Sequence, residues 1–312
     1  MLRQLEPAKC RGTLREEYWE DNNQWIAEFK FDGARYLMHI GAEGSRFTSR
    51  RKSVKDGLYV EKRNFPHLEN ICEPEDTVLD GEFILNLYGS SYDSTTITGS
   101  AREVALKKQE ESGFLSYMVF DILFLRGIDM RSKPLQYRKT VLEKVVLELD
   151  STSIVLSKCY TTKKNALYCT IVKKGGEGVV LKHIQSMYGE RQKWVKVKKK
   201  ETWDVVILGY KKPSELSEKV DGSISVTRYK NKGWIGAIEF GQYYAGKLVP
   251  YGTVSGMDET IRSQISCYPD DYVGKVIEIE AQERLKSGSF RHPRFVRFRE
   301  DKEAKDCEYA TD

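Results

Sequence analysis

Trp25-Ile26-Ala27-Glu28-Phe29-Lys30-Phe31-Asp32-Gly33-Ala34-Arg35-Tyr36-Leu37-Met38-His39-Ile40 decides how the chain is read. Apolar and polar side chains roughly alternate on both sides of Asp32-Gly33, which is the period of a strand, and Asp-Gly between two such runs predicts a turn. Successive strand side chains point to opposite faces, so Lys30 projects with Glu28 and away from Phe29 and Phe31. A lone lysine before a turn is ordinarily a solvated side chain. Its meaning depends on what the rest of the chain places near it.

Further strands are expected over Thr77 to Leu85 and Leu115 to Phe124, with Gly81 permitting close backbone approach. Arg138 to Leu149 reads as a helix with Val141, Leu142, Val145, Val146 and Leu149 on one face, a core-packing stripe. Ala101 to Glu111 reads as a charged, exposed helix. A helix over Asn165 to Lys173 leads through Gly175-Gly176-Glu177-Gly178 into the strand Val179-Val180-Leu181-Lys182 and on to Lys196 and Lys198. Interspersed helices and strands favour an α+β domain over residues 1–201. After Glu201 the texture changes to strands and glycine turns: Trp203 to Tyr210, Ser223 to Tyr229, Trp234 to Phe240, Gly274 to Gln282 and Phe295 to Arg299. Residues 202–312 therefore fit a small all-β barrel of the oligonucleotide-binding (OB) type. The sequence shows no internal repeat and no low-complexity segment.

With 312 residues, 40% hydrophobic and 11% aromatic, the chain can build one large or two moderate cores. The net charge of +5 is modest, but Lys193, Lys196, Lys198, Lys199 and Lys200 cluster, and Arg291 to Arg299 holds four arginines. Clustered bases suit a polyphosphate or a nucleic-acid backbone, although an isolated lysine run is more often a solvated face. No stretch of 18 uncharged apolar residues occurs, and Met1 to Glu6 lacks the apolar core of a signal peptide. The expected setting is cytosolic or nuclear, with no membrane. Six scattered cysteines without a Cys-x-x-Cys pair suggest neither zinc nor a disulfide framework.

Six stretches, in order, resemble the nucleotidyltransferase motifs of ATP-dependent DNA ligases: Lys30-Phe31-Asp32-Gly33-Ala34-Arg35, Leu79-Asp80-Gly81-Glu82, Phe120-Asp121, Glu177 to Lys182, Trp194-Val195-Lys196-Val197-Lys198, and Arg294 to Lys302. The resemblance implies a nucleotidyltransferase domain of ATP-grasp-like character followed by an OB-fold barrel. It implies ATP and Mg2+, with Mn2+ as a substitute, and nicked duplex DNA as the partner of a monomer. NAD-dependent DNA ligases are similar in their core but carry a four-cysteine zinc module, for which the cysteines here give no spacing.

A lysine attacking an α-phosphate must lose its proton, and its free pKa of about 10.4 keeps it charged at neutral pH. Neighbouring positive charge and partial burial lower that value. Lys196 and Lys198 would supply such a field and neutralise phosphate charge during an in-line displacement. Lys30 is thus the expected nucleophile, with Asp32, Lys196 and Lys198 as its catalytic companions. By resemblance, Glu82 holds the ribose or a metal and Glu177 a metal, through hard oxygens that suit Mg2+. Phe120 stacks on adenine in that reading, although by itself it looks like core. Glu28 lies near the adenine, and Arg35 and Lys182 complete the nucleotide pocket. Ser49-Arg50 resembles the element that grips the 5′-phosphate of the nick, and Arg191 is assigned to DNA. Trp194 reads as packing.

In the terminal motif the resemblance assigns Arg299, Asp301 and Lys302 to the departing pyrophosphate, on a barrel that closes over ATP and then swings away. Lys199 to Trp203 would be the hinge. The stretch Lys211 to Val220 is short for the DNA-encircling latch of some minimal ligases, and no large helical DNA-binding domain precedes the core. The expected activity is the sealing of 5′-phosphate/3′-hydroxyl nicks through lysyl-AMP and adenylated DNA. Rival readings are an RNA ligase or an mRNA capping guanylyltransferase, and, from another class, a non-catalytic nucleic-acid binding protein.

Overall fold

Asp32-Gly33 does not turn a hairpin, and the reason lies in how two sheets share the first half of the chain. The computed structural model describes residues 3–199, 201–214, 216–218, 224–226, 228–285 and 287–309. They fall into two units, Met1–Lys199 and Lys200–Asp312. The strands of the first unit are β1 (Trp25–Phe29), β2 (Ala34–Gly41), β3 (Gly44–Lys52), β4 (Tyr59–Lys62), β5 (Thr77–Ile84), β6 (Ser116–Leu125), β7 (Ile128–Asp129), β8 (Ile154–Leu156), β9 (Gly178–His183) and β10 (Trp194–Lys198). Its helices are α1 (Glu17–Glu20), α2 (Ser91–Gly99), α3 (Arg102–Ser112), α4 (Leu135–Leu149) and α5 (Lys164–Lys173).

β1 pairs with β9 in an antiparallel sheet of order β1-β9-β10, whereas β2 lies between β3 and β5 in the order β4-β3-β2-β5-β6-β7, with β8 beside β6. The chain crosses from one sheet to the other at Lys30 to Gly33. Lys30 N donates to Gly178 O at 2.9 Å, holding the exit to the first sheet. A Cβ on Gly33 would lie 2.1 Å from the Phe83 carbonyl oxygen, so only glycine lets the chain enter the second sheet against β5.

Each sheet packs one face into a main apolar cluster. In the smaller one, Trp25, Ala27, Val179, Leu181 and Val195 are buried together with Ile171 of α5. Strand alternation sends Glu28, Lys182, Trp194, Lys196 and Lys198 to the other face. In the larger sheet, Tyr36, Met38, Phe47, Leu79, Phe83, Tyr117 and Val119 pack against Ile97, Ala105, Leu142 and Val145 of the helices. Each such side chain contributes roughly 1.5–3 kcal/mol by leaving water. Arg35, Glu82, Met118 and Phe120 take the opposite face, with Arg35, Glu82 and Met118 in cross-strand register. These second faces carry the polar and charged side chains of both sheets, beside smaller apolar clusters around Leu37 and Met118.

The stripe expected on α4 packs as read, with Leu142 and Val145 buried and Val141, Val146 and Leu149 against the same core. The helix ends at Asp150, in the left-handed region at φ 42°. α3 is less exposed than its charges suggest: Ala105 and Gln109 are buried, and Gln109 Nε2 donates to the Asn64 carbonyl at 2.8 Å.

The second unit contains β11 (Glu201–Lys211), β12 (Leu216–Glu218), β13 (Ile224–Val226), β14 (Ala237–Tyr244), β15 (Lys247–Val254), β16 (Val276–Ala281), β17 (Glu283–Arg284), β18 (Phe290–Arg291) and β19 (Arg294–Phe298), with helices α6 (Arg228–Asn231) and α7 (Glu259–Cys267). Its main sheet runs β15-β14-β11-β16-β19. A bridge from Ser255 to Arg294, with Phe295 N donating to Ser255 O at 2.9 Å, closes the last strand onto the end of β15. The result is an OB-type barrel around Val205, Ile207, Ile238, Phe240, Ile277 and Ile279, plugged by Ile265 of α7. The strand expected over 223–229 is shorter: β13 is followed by the helix α6, while Ser223 and Thr227 lie outside the described residues, as do Val220 and Lys200 in the stretches read for a latch and a hinge. The strand expected from Trp234 begins at Ala237. Among the described residues no helix is long and apolar enough to cross a membrane.

Candidate active site

The crossing between sheets places Lys30 where three strands of the smaller sheet end. Its Nζ lies 2.5 Å from Glu177 Oε2, and Lys198 Nζ lies 2.5 Å from Glu177 Oε1. The Glu177 side chain is only 3% exposed, so both amines face a carboxylate largely removed from water. The backbone fixes this arrangement. Gly178 has φ +139°, and a Cβ there would meet the Val197 carbonyl oxygen at 2.0 Å, so glycine lets β9 and β10 close up beside Glu177. Lys199 N donates to Glu177 O at 2.8 Å and pins the end of β10. Lys196 shares the face of Lys198 and is exposed.

Glu82 approaches from the larger sheet. Burial raises its carboxyl to about 7, against the pull of Lys30 and Arg35 and with help from Glu177 and Asp80. Arg35, its cross-strand neighbour, donates from Nε and an NH2 group to Asp80 at 2.9 and 2.6 Å and from the other nitrogen to Ala8 O at 2.6 Å. Tyr188 completes this network by donating to Asp80 at 2.6 Å while accepting from Ala8 N at 2.9 Å. The Arg35 guanidinium sits 5.2 Å from the centre of the Phe120 ring.

Phe120 is half-buried rather than core. Lys182 Nζ stands 4.7 Å from its ring centre and 4.1 Å from that of Trp194, a cation held between two aromatic faces. Trp194 is buried and meets Phe120 and Tyr188 edge-on, as a packing residue does. Glu28 is 1% exposed and takes Lys182 at 3.1 Å and Lys139 of α4 at 2.8 Å. Burial lowers Lys182, and the opposing attraction of Glu28 falls short of cancelling it. For Lys139 burial also pulls downward, but Glu28, Cys159 and Asp121 together outweigh it and the amine is raised. Beneath them Asp121 and Arg138 form a fully buried two-bond pair at 2.7 and 2.9 Å.

Lys30, Lys198, Glu177, Glu82, Arg35, Phe120, Lys182 and Glu28 are thus linked by side-chain contacts and charges that run from one sheet of the first unit to the other. Asp32 does not join them as a free carboxylate; its Oδ2 accepts from Ser91 N at 3.2 Å, at the start of α2. Arg50 and Arg191 are exposed. Arg299, Asp301 and Lys302 belong to the second unit, where Asp204 takes Arg299 at 2.8 Å and Lys302 at 2.6 Å, and Asp301 takes the far edge of the Arg299 fork. Asp80, Tyr188, Lys139 and Asp204 were missed in the sequence. Asp80 lies inside the Leu-Asp-Gly-Glu stretch, which was its one signal; the others carry none that spacing reveals. Among the described residues no group of three or more His, Cys, Asp or Glu side chains converges on a metal position.

Residues 9–198 match the family model described as the ATP dependent DNA ligase domain, well over half of the chain. The chain belongs to the ATP-dependent DNA ligase family. It is 28% identical over 325 residues to the DNA ligase of Methanoculleus marisnigri, an alignment covering 95% of this chain and 55% of that protein. It thus spans about half the length of this archaeal ligase. Similarity to the SPbeta prophage-derived DNA ligase-like protein LigB of Bacillus subtilis is 32% over 210 residues, covering 64% of this chain and 70% of that one. Among solved structures, a chain from a study of Lig E DNA ligases superimposes with a TM-score of 0.66 at 17% identity, covering 95% of this chain and all of that one. The fold is the ligase fold, a nucleotidyltransferase domain followed by an OB barrel, and ATP is the nucleotide of the family.

Proposed function

We propose that the protein seals 5′-phosphate/3′-hydroxyl nicks in duplex DNA, with ATP as the source of a lysyl-AMP at Lys30. The observation that carries this reading is the convergence of Lys30 and Lys198 on Glu177, beside Glu82; the space between these groups and Phe120 is read as the nucleotide cleft. Adenine stacks on Phe120 with Glu28 near its edge, and Glu82 takes the ribose. Lys198 and Lys196 neutralise the triphosphate while the Lys30 amine attacks the α-phosphorus, forming a P–N bond as the bond to pyrophosphate breaks. Lys30 must release Glu177 and a proton to do so. Arg35, clamped by Asp80, keeps its charge at the Phe120 ring, and Asp32 acts by holding the start of α2 beside the lysine.

Glu82 and Glu177 fit Mg2+, which binds through one or two carboxylates together with substrate phosphates and keeps several waters. When bound, such a cation supplies charge neutralisation at the phosphates. AMP then passes from Lys30 to the 5′-phosphate of the nick, and the 3′-hydroxyl displaces it to join the strand. Arg50 and Arg191 are proposed to grip DNA phosphates, a contact that weakens with salt. In the second unit, Arg299 and Lys302, held side by side by Asp204, are suited to a phosphate anion.

The test is a singly nicked duplex incubated with the protein, ATP and Mg2+. The expected result is sealing that stops in chelator. Sealing only of an RNA nick, or covalent labelling by GTP in place of ATP, would move the assignment to an RNA ligase or a capping guanylyltransferase.

A further inference from the structure

We infer that Lys139 is a positioning residue: it fixes Glu28 as the acceptor for the exocyclic amine of adenine and so sets the preference for ATP. The inference rests on the reading of the cleft given above. Glu28 carries two cations on the same oxygen, Oε1, at 2.8 Å for Lys139 and 3.1 Å for Lys182. Neither contact is aligned as a hydrogen bond, and both Glu28 oxygens are buried with no hydrogen-bond donor. Lys139 Nζ, Ser157 Oγ and Trp194 Nε1 are likewise buried without hydrogen-bond partners.

The Glu28, Lys139 and Trp194 atoms gather around Lys182. Lys182 lies between the Phe120 and Trp194 rings. Ser157 N is bonded to Val119 O next to Phe120, and Tyr160 bridges Ala27 next to Glu28. The segment from Ser157 to Tyr160 therefore runs from the strand of Phe120 to the strand of Glu28. Buried polar atoms are nearly always satisfied, and leaving several unpaired in one place costs free energy that a ligand can recover. The Phe120 ring is aromatic surface beside this group, and the acceptor that the group offers is the Glu28 carboxylate. It thus suits a purine that presents an N–H. Adenine has an amino group on C6, where guanine has a carbonyl oxygen that the carboxylate would repel.

Lys182 is already engaged with two ring faces. Lys139 reaches Glu28 from α4, outside the sheet, and holds the carboxylate from there. Its loss would leave Glu28 with one cation and let the carboxylate turn toward Lys182, away from the base. Glu28 would stay buried, but it would no longer read the amine.

The experiment is single-turnover covalent labelling of the protein by ATP, GTP and purine riboside triphosphate, which lacks the C6 amine, in wild type and Lys139→Met. The wild type is expected to favour ATP over purine riboside triphosphate by about tenfold to a hundredfold, the worth of a hydrogen bond to a charged group. Lys139→Met is expected to bring that ratio to within about threefold of unity, and Lys139→Arg to restore part of it. If Lys139→Met does not fold in urea titration, Lys139→Gln, which keeps a donor without the charge, is read in the same way. An unchanged ratio in a folded variant overturns the inference, whatever happens to the absolute rate, because a merely structural role lowers all three rates together. Absence of labelling in the wild type with every nucleotide would overturn the reading of the cleft itself.

Discussion

Lys30 and Lys198 are joined through one carboxylate, each amine lying 2.5 Å from a different oxygen of Glu177. They come from β10 and from the crossing after β1, so Glu177 ties together the two places that the proposed reaction needs. Glu177→Gln keeps the volume and removes the charge. The amines are 21% and 32% exposed and can turn to water, so the stability loss should stay within about 1 kcal/mol. Single-turnover labelling by ATP should fall by about a hundredfold or more, as when a pre-organised electrostatic partner is removed.

Asp80 should be far less tolerant. It is fully buried and takes three bonds, two from Arg35 and one from Tyr188. Asp80→Asn leaves the Arg35 charge uncompensated in the interior and should cost about 3–5 kcal/mol in urea unfolding. Tyr188→Phe removes one donor and should cost about 1–2 kcal/mol.

Gly178→Ala tests the backbone closure of β9 on β10. With φ +139° and the Val197 oxygen 2.0 Å from the position of a Cβ, the alanine must push the strands apart. A loss of at least about 2 kcal/mol is expected, with labelling reduced further because Lys198 moves with β10.

His39 gives a pH signature separate from the chemistry. It is buried beside Thr48, its Nε2 2.8 Å from the hydroxyl, and burial, aided by Arg3, pushes its pKa down to about 4. The unfolded chain takes up a proton near pH 6.5 and the folded one does not, so this contribution is complete above that pH and is lost as pH falls toward 4. Wild type should lose up to roughly 3 kcal/mol between pH 7 and 4 on this account. In His39→Gln the loss should be smaller by that amount, measured by urea unfolding across the range.

Element positions were largely legible because period and turn chemistry act locally. β5, β6, α4, α5 and β9 lie within a few residues of where alternation and stripe place them. What local pattern could not show is partnership. Asp-Gly between two strand-like runs reads as a hairpin, yet β1 and β2 join different sheets, a choice made by contacts some 150 residues away along the chain at β9. β15 escaped notice because Pro250 interrupts it; the proline is tolerated at the end of the main sheet, opposite Gly241 where the register shifts. In the cleft, the charged residues were visible from their motifs. Lys139, Asp80 and Tyr188 were not, since a buried ion pair leaves no periodic mark and becomes recognisable only once the chain has folded.

The most direct test of the central claim is to incubate the protein with Mg2+ and α-labelled ATP, digest it and map the labelled peptide by mass spectrometry, alongside Lys30→Ala. The account predicts AMP on Lys30 and no covalent label in the variant. A label on another residue, or one that survives in Lys30→Ala, would contradict it.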